Sequence, residues 1–325
     1  MHPAFSVVFL TTLIGAGQGL FLALFTVESY AAFGLLPGQD SRFYALGSAV
    51  ALGFLVAGLV ASFFHLGRPE RAWRSAAKWR TSWLSREVIV LPAFMGTVFL
   101  YGAAHCTGFN PVLAQLPSGA PINVTAMLGV AGTLLAFALF VCTGMIYACL
   151  RFLQEWHTPL TVINYILLGG ASGFVLATAL AALVAPGVTG FFGGWAMILT
   201  VLAFVGRIAS LLRNARLRPK SSLRTAIGVK HPRIVQKAQG AMGGSFNTRE
   251  FFHGRPAFFL RQVKWLFLLL AFAVPMGLLA GGTTAGSGVL LLTAFAVQYL
   301  GLLAERWFFF AQANHPQNLY YQAVS

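Results

Sequence analysis

The sequence predicts an all-α, polytopic membrane protein of eight transmembrane helices, and three observations carry that reading. Of 325 residues, 58% are hydrophobic and 9% are charged, with a mean hydropathy of +0.75. A soluble globule carries about a quarter charged residues, so this chain cannot clothe its 30 Phe and other apolar groups with a water-compatible surface. Its apolar residues fall in continuous runs, whereas a membrane barrel needs alternating segments of about ten residues.

A bilayer core takes about 20 apolar residues per helix. Runs of that length, bounded by charge, Pro or Gly-rich turns, lie at 5–29, 43–66, 87–107, 122–150, 162–185, 191–212, 262–282 and 286–310. The first resembles a signal sequence in position only. It lacks a basic leading region and a convincing small-residue cleavage site, and Glu28 follows it, so it is read as a retained helix. The whole chain, 1–325, is one integral-membrane unit. The motif Ile14-Gly-Ala-Gly-Gln-Gly19 in span one echoes Leu168-Gly-Gly-Ala-Ser-Gly173 in span five. Two readings fit the echo: a pair of four-helix halves, or small residues that recur because they let helices pack closely.

Eight crossings place both termini and the loops after spans two, four and six on one face. Every Lys and Arg except Arg42 then falls on that face, which by the positive-inside rule is cytoplasmic. The expected location is therefore a bacterial inner membrane with both termini inside. The formal charge of +15 thus belongs to interhelical loops, and nucleic acid is not the expected partner. Cys106, Cys142 and Cys149 contain no CxxC, so no iron–sulfur cluster, zinc or disulfide framework is expected in this chain.

Two basic segments stand out. In 69–85, an α-helical spacing sets Arg71, Arg74 and Lys78 on one stripe and Ala72, Ala76, Trp79 and Trp83 on another. The pattern suits a helix at the headgroups, held by anionic lipid or serving as a docking surface for a soluble subunit. The segment 213–261 is strongly basic with one acid, Glu250. It is either a tether or a partner-binding element, and Phe251, Phe252, Phe258 and Phe259 favour the second.

Ionisable groups near hydrocarbon cost roughly 2.5 to 3.5 kcal/mol at the bilayer centre, so each needs a reason. His65 closes span two and Glu87 opens span three, at the same membrane boundary, with Arg68 and Arg86 at their level. Singly, His65 reads as an interfacial histidine and Glu87 as a first-turn carboxylate matched to the helix dipole. Together they resemble a set that exchanges protons with a quinone, whose reduction takes two electrons and two protons. On this reading His65 supplies a hydrogen bond to the carrier, Glu87 the proton relay, and Arg68 or Arg86 a partner for Glu87 or for a ligand oxygen. Gln18, Glu28, Tyr101, His105, Asn164 and Tyr165 are weaker candidates, and Glu305 with Arg306 reads as a helix-end anchor. A b-type haem needs two histidines at matched depth on neighbouring helices. His65 and His105 lie at opposite ends of their spans, and no haem is expected.

The run His65-Leu-Gly-Arg-Pro69, followed by Arg71-Ala-Trp73 and Ser82-Trp-Leu-Ser-Arg-Glu87, resembles the signature of the dimethyl sulfoxide reductase membrane-anchor (DmsC) family. The beginning MHPAFSVVFLTTLIGAGQGL, the segment GGSFNTREFFHGR and the ending ERWFFFAQANHPQNLYY look more like its sulfite dehydrogenase (sulfite:quinone oxidoreductase) branch. The resemblance implies a haem-free anchor that binds ubiquinone or menaquinone and joins a molybdopterin catalytic subunit and an iron–sulfur subunit. It also implies a quinone-site role for His65 and Glu87. Catalytic subunits of dimethyl sulfoxide reductases are exported, whereas the charges here pull the motif loop inside, which suits cytoplasmic partners and sulfite oxidation. A quinol-oxidising reductase anchor, a secondary transporter and a passive scaffold are the alternatives. Against transport, no Pro- or Gly-broken helix pair with acids at mid-membrane is seen.

Overall fold

The computed structural model describes residues 3–115, 121–218, 222–231, 233–235 and 256–316. Among them are eight helices long and apolar enough to cross a bilayer. These are α1 (Phe5–Ala32), α2 (Ser41–Phe63), α3 (Trp83–Thr107), α4 (Val124–Ala148), α5 (Pro159–Val184), α6 (Thr189–Ala215), α7 (Ala257–Ala285) and α8 (Gly288–Ala311). At about 1.5 Å per residue each exceeds the roughly 30 Å hydrocarbon core. About half of the 213–261 segment, including Glu250, Phe251 and Phe252, lies outside the described residues, as does the tail beyond 316.

Local chemistry sets the helix ends. The side chains of Asp40, Ser82, Asn123, Thr158 and Ser287 each accept a backbone N–H in the first turn of α2, α3, α4, α5 and α8. Gly108 and Gly286 close α3 and α7 in the left-handed conformation that glycine adopts without strain. The Ser82 cap starts α3 four residues earlier than the apolar run alone suggests. Helix α7 is continuous but carries a π turn at Leu269–Ala273, where α8 presses closest: a Cβ on Gly301 would meet Ala271 N at 2.3 Å. Continuous apolar runs make strands unlikely in the spans, and the small antiparallel ribbon, β1 (Val112–Gln115) with β2 (Pro121–Asn123), lies outside them in the α3–α4 loop.

Helices α1 and α5 are the two most buried spans and cross against each other, with the remaining helices packed around them. The two echoing glycine motifs form that crossing. A Cβ on Gly19 would sit 2.1 Å from Gly169 O, and one on Gly173 would sit 2.0 Å from Gly19 C, so the backbones touch directly. The repeated small residues are therefore facing halves of one helix crossing. Around them lie Leu20, Phe21, Leu24, Leu55, Phe94 and Val98, all inaccessible to solvent.

Candidate functional site: a buried carboxylate below a basic, aromatic lip

In α3 the buried positions run Glu87, Leu91, Phe94, Val98 and Tyr101, spaced four and three apart along one helical face. Because α3 begins at Trp83, Glu87 is one turn inside the helix, on the stripe that packs inward. Its carboxylate accepts a hydrogen bond from the Thr143 hydroxyl of α4. The two groups line a cavity of about 20 Å³ with Gln18 of α1, Tyr165 of α5 and Arg306 of α8. Gln18 donates to Ala136 O at 2.8 Å, which fixes its amide, and the Arg306 guanidinium lies 3.8 Å from the centre of the Tyr165 ring.

The other residues expected at this site do not join Glu87. Arg86 precedes it by one residue and so points about 100° away around the helix. It donates to Trp79 O at 2.9 Å and Arg80 O at 2.8 Å and stacks 4.2 Å over Trp83. Among the described residues it forms no ion pair with Glu87. His65 lies past the end of α2, in the turn after Phe63. It is exposed and does not line the Glu87 cavity. Partial desolvation holds the His65 imidazole below the ordinary histidine pKa. Arg68 is likewise exposed, at the entry to the following turn. The expected single pocket thus resolves into an exposed lip bearing His65 and Arg68, with Phe64 and Trp73 beside them in sequence at 82% and 72% exposed, and a small cavity of mixed polar and apolar lining bearing Glu87.

The segment after the lip is a 3₁₀-helix, Pro69–Lys78, followed by a turn into α3. With three residues per turn, Arg71 and Arg74 align, as do Glu70, Trp73 and Ala76, while Lys78 leaves the basic stripe expected from α-helical spacing. Arg71, Arg74, Lys78 and Trp79 are exposed and Trp83 is half-buried. Arg74 lies 5.5 Å over Trp73 and Arg80 lies 5.3 Å over Trp79, so the segment presents alternating cations and indoles.

Two expectations about other charges are corrected. Arg207 and Arg306 are interior groups rather than loop charges, and Glu305 with Arg306 is no helix-end anchor. Arg207 Nε meets Glu305 Oε1 at 2.7 Å with both side chains 2% exposed, and Arg306 Nη2 lies 3.8 Å from Glu305 Oε2. The signal was present in the periodicity: Thr200, Ala203, Arg207 and Ser210 share the buried face of α6, and Gln298, Leu302 and Glu305 that of α8.

At the opposite end of the bundle, Tyr101 donates to Glu28 Oε2 at 2.6 Å, Thr125 donates to Glu28 Oε1 at 2.5 Å, and His105 Nε2 lies 3.5 Å from Glu28 Oε1. An apolar groove of about 600 Å³ adjoins Glu28 and includes Phe25, Phe33, Met127 and Leu134. Sequence reading noted Glu28, Tyr101 and His105 singly. Only the packing of α1, α3 and α4 assembles them.

Comparison with known proteins places this sequence in a family. A sulfite dehydrogenase subunit of Allochromatium vinosum is 59% identical over 325 residues, covering 100% of both chains. The family model described as DMSO reductase anchor subunit (DmsC) matches residues 1–230, which contain His65, the 3₁₀ segment, Glu87 and Thr143. The chain belongs to the DMSO reductase anchor subunit (DmsC) family and is a multi-pass membrane anchor of an oxidoreductase.

Proposed function

We propose that this chain is the quinone-reactive anchor of a sulfite-oxidising molybdopterin and iron–sulfur oxidoreductase, passing electrons from the iron–sulfur partner to the quinone pool. The name of its Allochromatium relative supports sulfite as the substrate of the partner subunits. The charge asymmetry supports a cytoplasmic position for those partners and for both termini, in a bacterial inner membrane.

The observation that carries the reading is the placement of Glu87. A carboxylate inside an apolar bundle is costly and marks a functional site by default. This one lies a single turn below Trp83, at the end of the bundle that presents the cationic and indole face. The polar groups beside it, the Thr143 and Tyr165 hydroxyls, the Gln18 amide and the Arg306 guanidinium, suit a water that exchanges protons with the carboxyl. The volume of the cavity does not suit a ring: about 20 Å³ holds a water molecule. Glu87 therefore serves the proton side of the chemistry, and contact with a quinone ring is assigned to the lip at His65, Arg68, Phe64 and Trp73, completed by the docked partner. Neutral His65 both donates and accepts there.

The test separates quinone chemistry from assembly. His65→Ala and Glu87→Gln are expected to leave the complex of anchor, iron–sulfur and molybdopterin proteins intact and to lower quinone-linked sulfite turnover at least tenfold, while an artificial dye still takes electrons from the partners. Equal loss with quinone and dye would make both residues structural and leave a passive scaffold.

A further inference from the structure

The Arg207–Glu305–Arg306 cluster stands directly behind the Glu87 cavity. A second cavity, of about 10 Å³, lies among Asn164, Tyr165, Arg207, Ser210, Glu305 and Arg306. Tyr165 and Arg306 line both cavities, so one layer of side chains separates them. The outer rim of the second cavity is Glu155, Asn214 and Gln312. They are half-buried and lie beyond α4, at the end of α6 and beyond α8, on the same face as the His65 lip.

Polar atoms around this route lack protein partners although they are buried: Asn164 Oδ1, Arg207 Nη2, Arg306 Nε and Gln312 Nε2. A buried polar group left unsatisfied is costly. Cavities of about one water in size that are edged by such atoms are where ordered waters sit in folded proteins.

We propose that the two cavities and the polar groups between them form a hydrated proton path from the basic face of the bundle to Glu87, with Tyr165 and Arg306 at its narrowest point. Its use in quinone chemistry rests on the function proposed above. The route itself rests on the cavities and their unpartnered atoms. Ion pairing favours it. Unpaired guanidinium groups in a pore repel hydronium, but here the Glu305 carboxylate lies 2.7 Å from Arg207 Nε and 3.8 Å from Arg306 Nη2 and offsets part of their charge. Each hop breaks one O–H bond and forms another along water and hydroxyl oxygens, so the Tyr165 hydroxyl is unchanged after it reorients. The groups near Glu87 are Thr143, Cys142 and Tyr147 of α4, Tyr165 of α5 and Arg306 of α8, while Arg86, next to it on α3, points away.

The path is tested on the full chain in nanodiscs, without quinone, by infrared spectroscopy after a pH step. The carboxyl band is assigned by its disappearance in Glu87→Gln. In the wild type the band is expected to follow the step. Asn164→Leu keeps the volume but removes the amide from the second cavity, and is expected to slow the response at least tenfold with the final amplitude kept. Tyr165→Phe removes one oxygen between the cavities, is expected to slow it several-fold, and decides the matter if Asn164→Leu does not fold. Equal rates in wild type and in the folded variants, or a wild-type band that ignores pH, would overturn the path. Neither result touches the quinone reading, whose own test is the difference between quinone-linked and dye-linked turnover.

Discussion

Arg207 on α6 and Glu305 on α8 meet at 2.7 Å in the interior, each side chain 2% exposed. Breaking such a pair leaves an uncompensated buried charge, which costs about 3 to 5 kcal/mol. Arg207→Met is therefore expected to lower thermal stability in detergent by that amount. The double variant Arg207→Met with Glu305→Leu removes both partners but leaves Arg306 without the carboxylate 3.8 Å from it, and is expected to recover only part of the loss. Additive losses in the double variant would show that the two groups are not coupled.

The α1–α5 crossing leaves no room at Gly173. An added methyl there would overlap the Gly19 backbone at 2.0 Å, and neither backbone can yield without separating the two central helices. Overpacking costs about 1 to 3 kcal/mol where side chains adjust, and more where backbone must move. Gly173→Ala is expected to reduce membrane-assembled protein strongly. Gly170→Ala, whose new methyl finds its nearest neighbour, Leu199 Cδ1, at 3.8 Å, is expected to be tolerated. Similar yields for the two variants would contradict the crossing.

Partial desolvation lowers the folded-state pKa of His65, so the fold favours its neutral form. The sign follows from linkage. The contribution is present above the pKa of an unfolded histidine, about 6.5, and is lost as pH falls through the lower folded value. The imidazole of labelled His65 is expected to titrate by NMR below a peptide histidine, and His65→Gln is expected to remove that part of the pH dependence. A midpoint at or above the peptide value would contradict the lip environment.

The 3₁₀ segment presents Arg71, Arg74 and Lys78 to the surface beside exposed Trp73 and Trp79. Reversing all three charges to Glu is expected to cut co-purification of the proposed iron–sulfur partner at least tenfold. Replacing anionic by zwitterionic lipid is expected to leave wild-type assembly intact. The opposite pattern would assign the stripe to lipid headgroups.

Span number was legible because hydropathy acts over whole segments. The inward position of Glu87 was half legible. A first-turn carboxylate and a core group differ by where the helix begins, and the Ser82 cap, once given its weight, turns Glu87 onto the stripe of Leu91 and Phe94. Arg207 was misread because a positive side chain near a span end resembles a loop charge. Its burial depends on Glu305, about a hundred residues further along the chain, and that pairing is a property of packing. The joining of Glu28, Tyr101 and His105, and the separation of His65 from Glu87, are likewise tertiary facts: one residue of helical phase, about 100°, separates Arg86 outside from Glu87 inside.

The most direct measurement is photo-crosslinking of the purified complex in native lipid with an azido-quinone, followed by peptide mapping. The account predicts label on the lip between Phe64 and Trp73, competed by excess quinone and lost in His65→Ala. Competed label confined to the groove at Phe25, Met127 and Leu134, or no competed label on this chain, would contradict it.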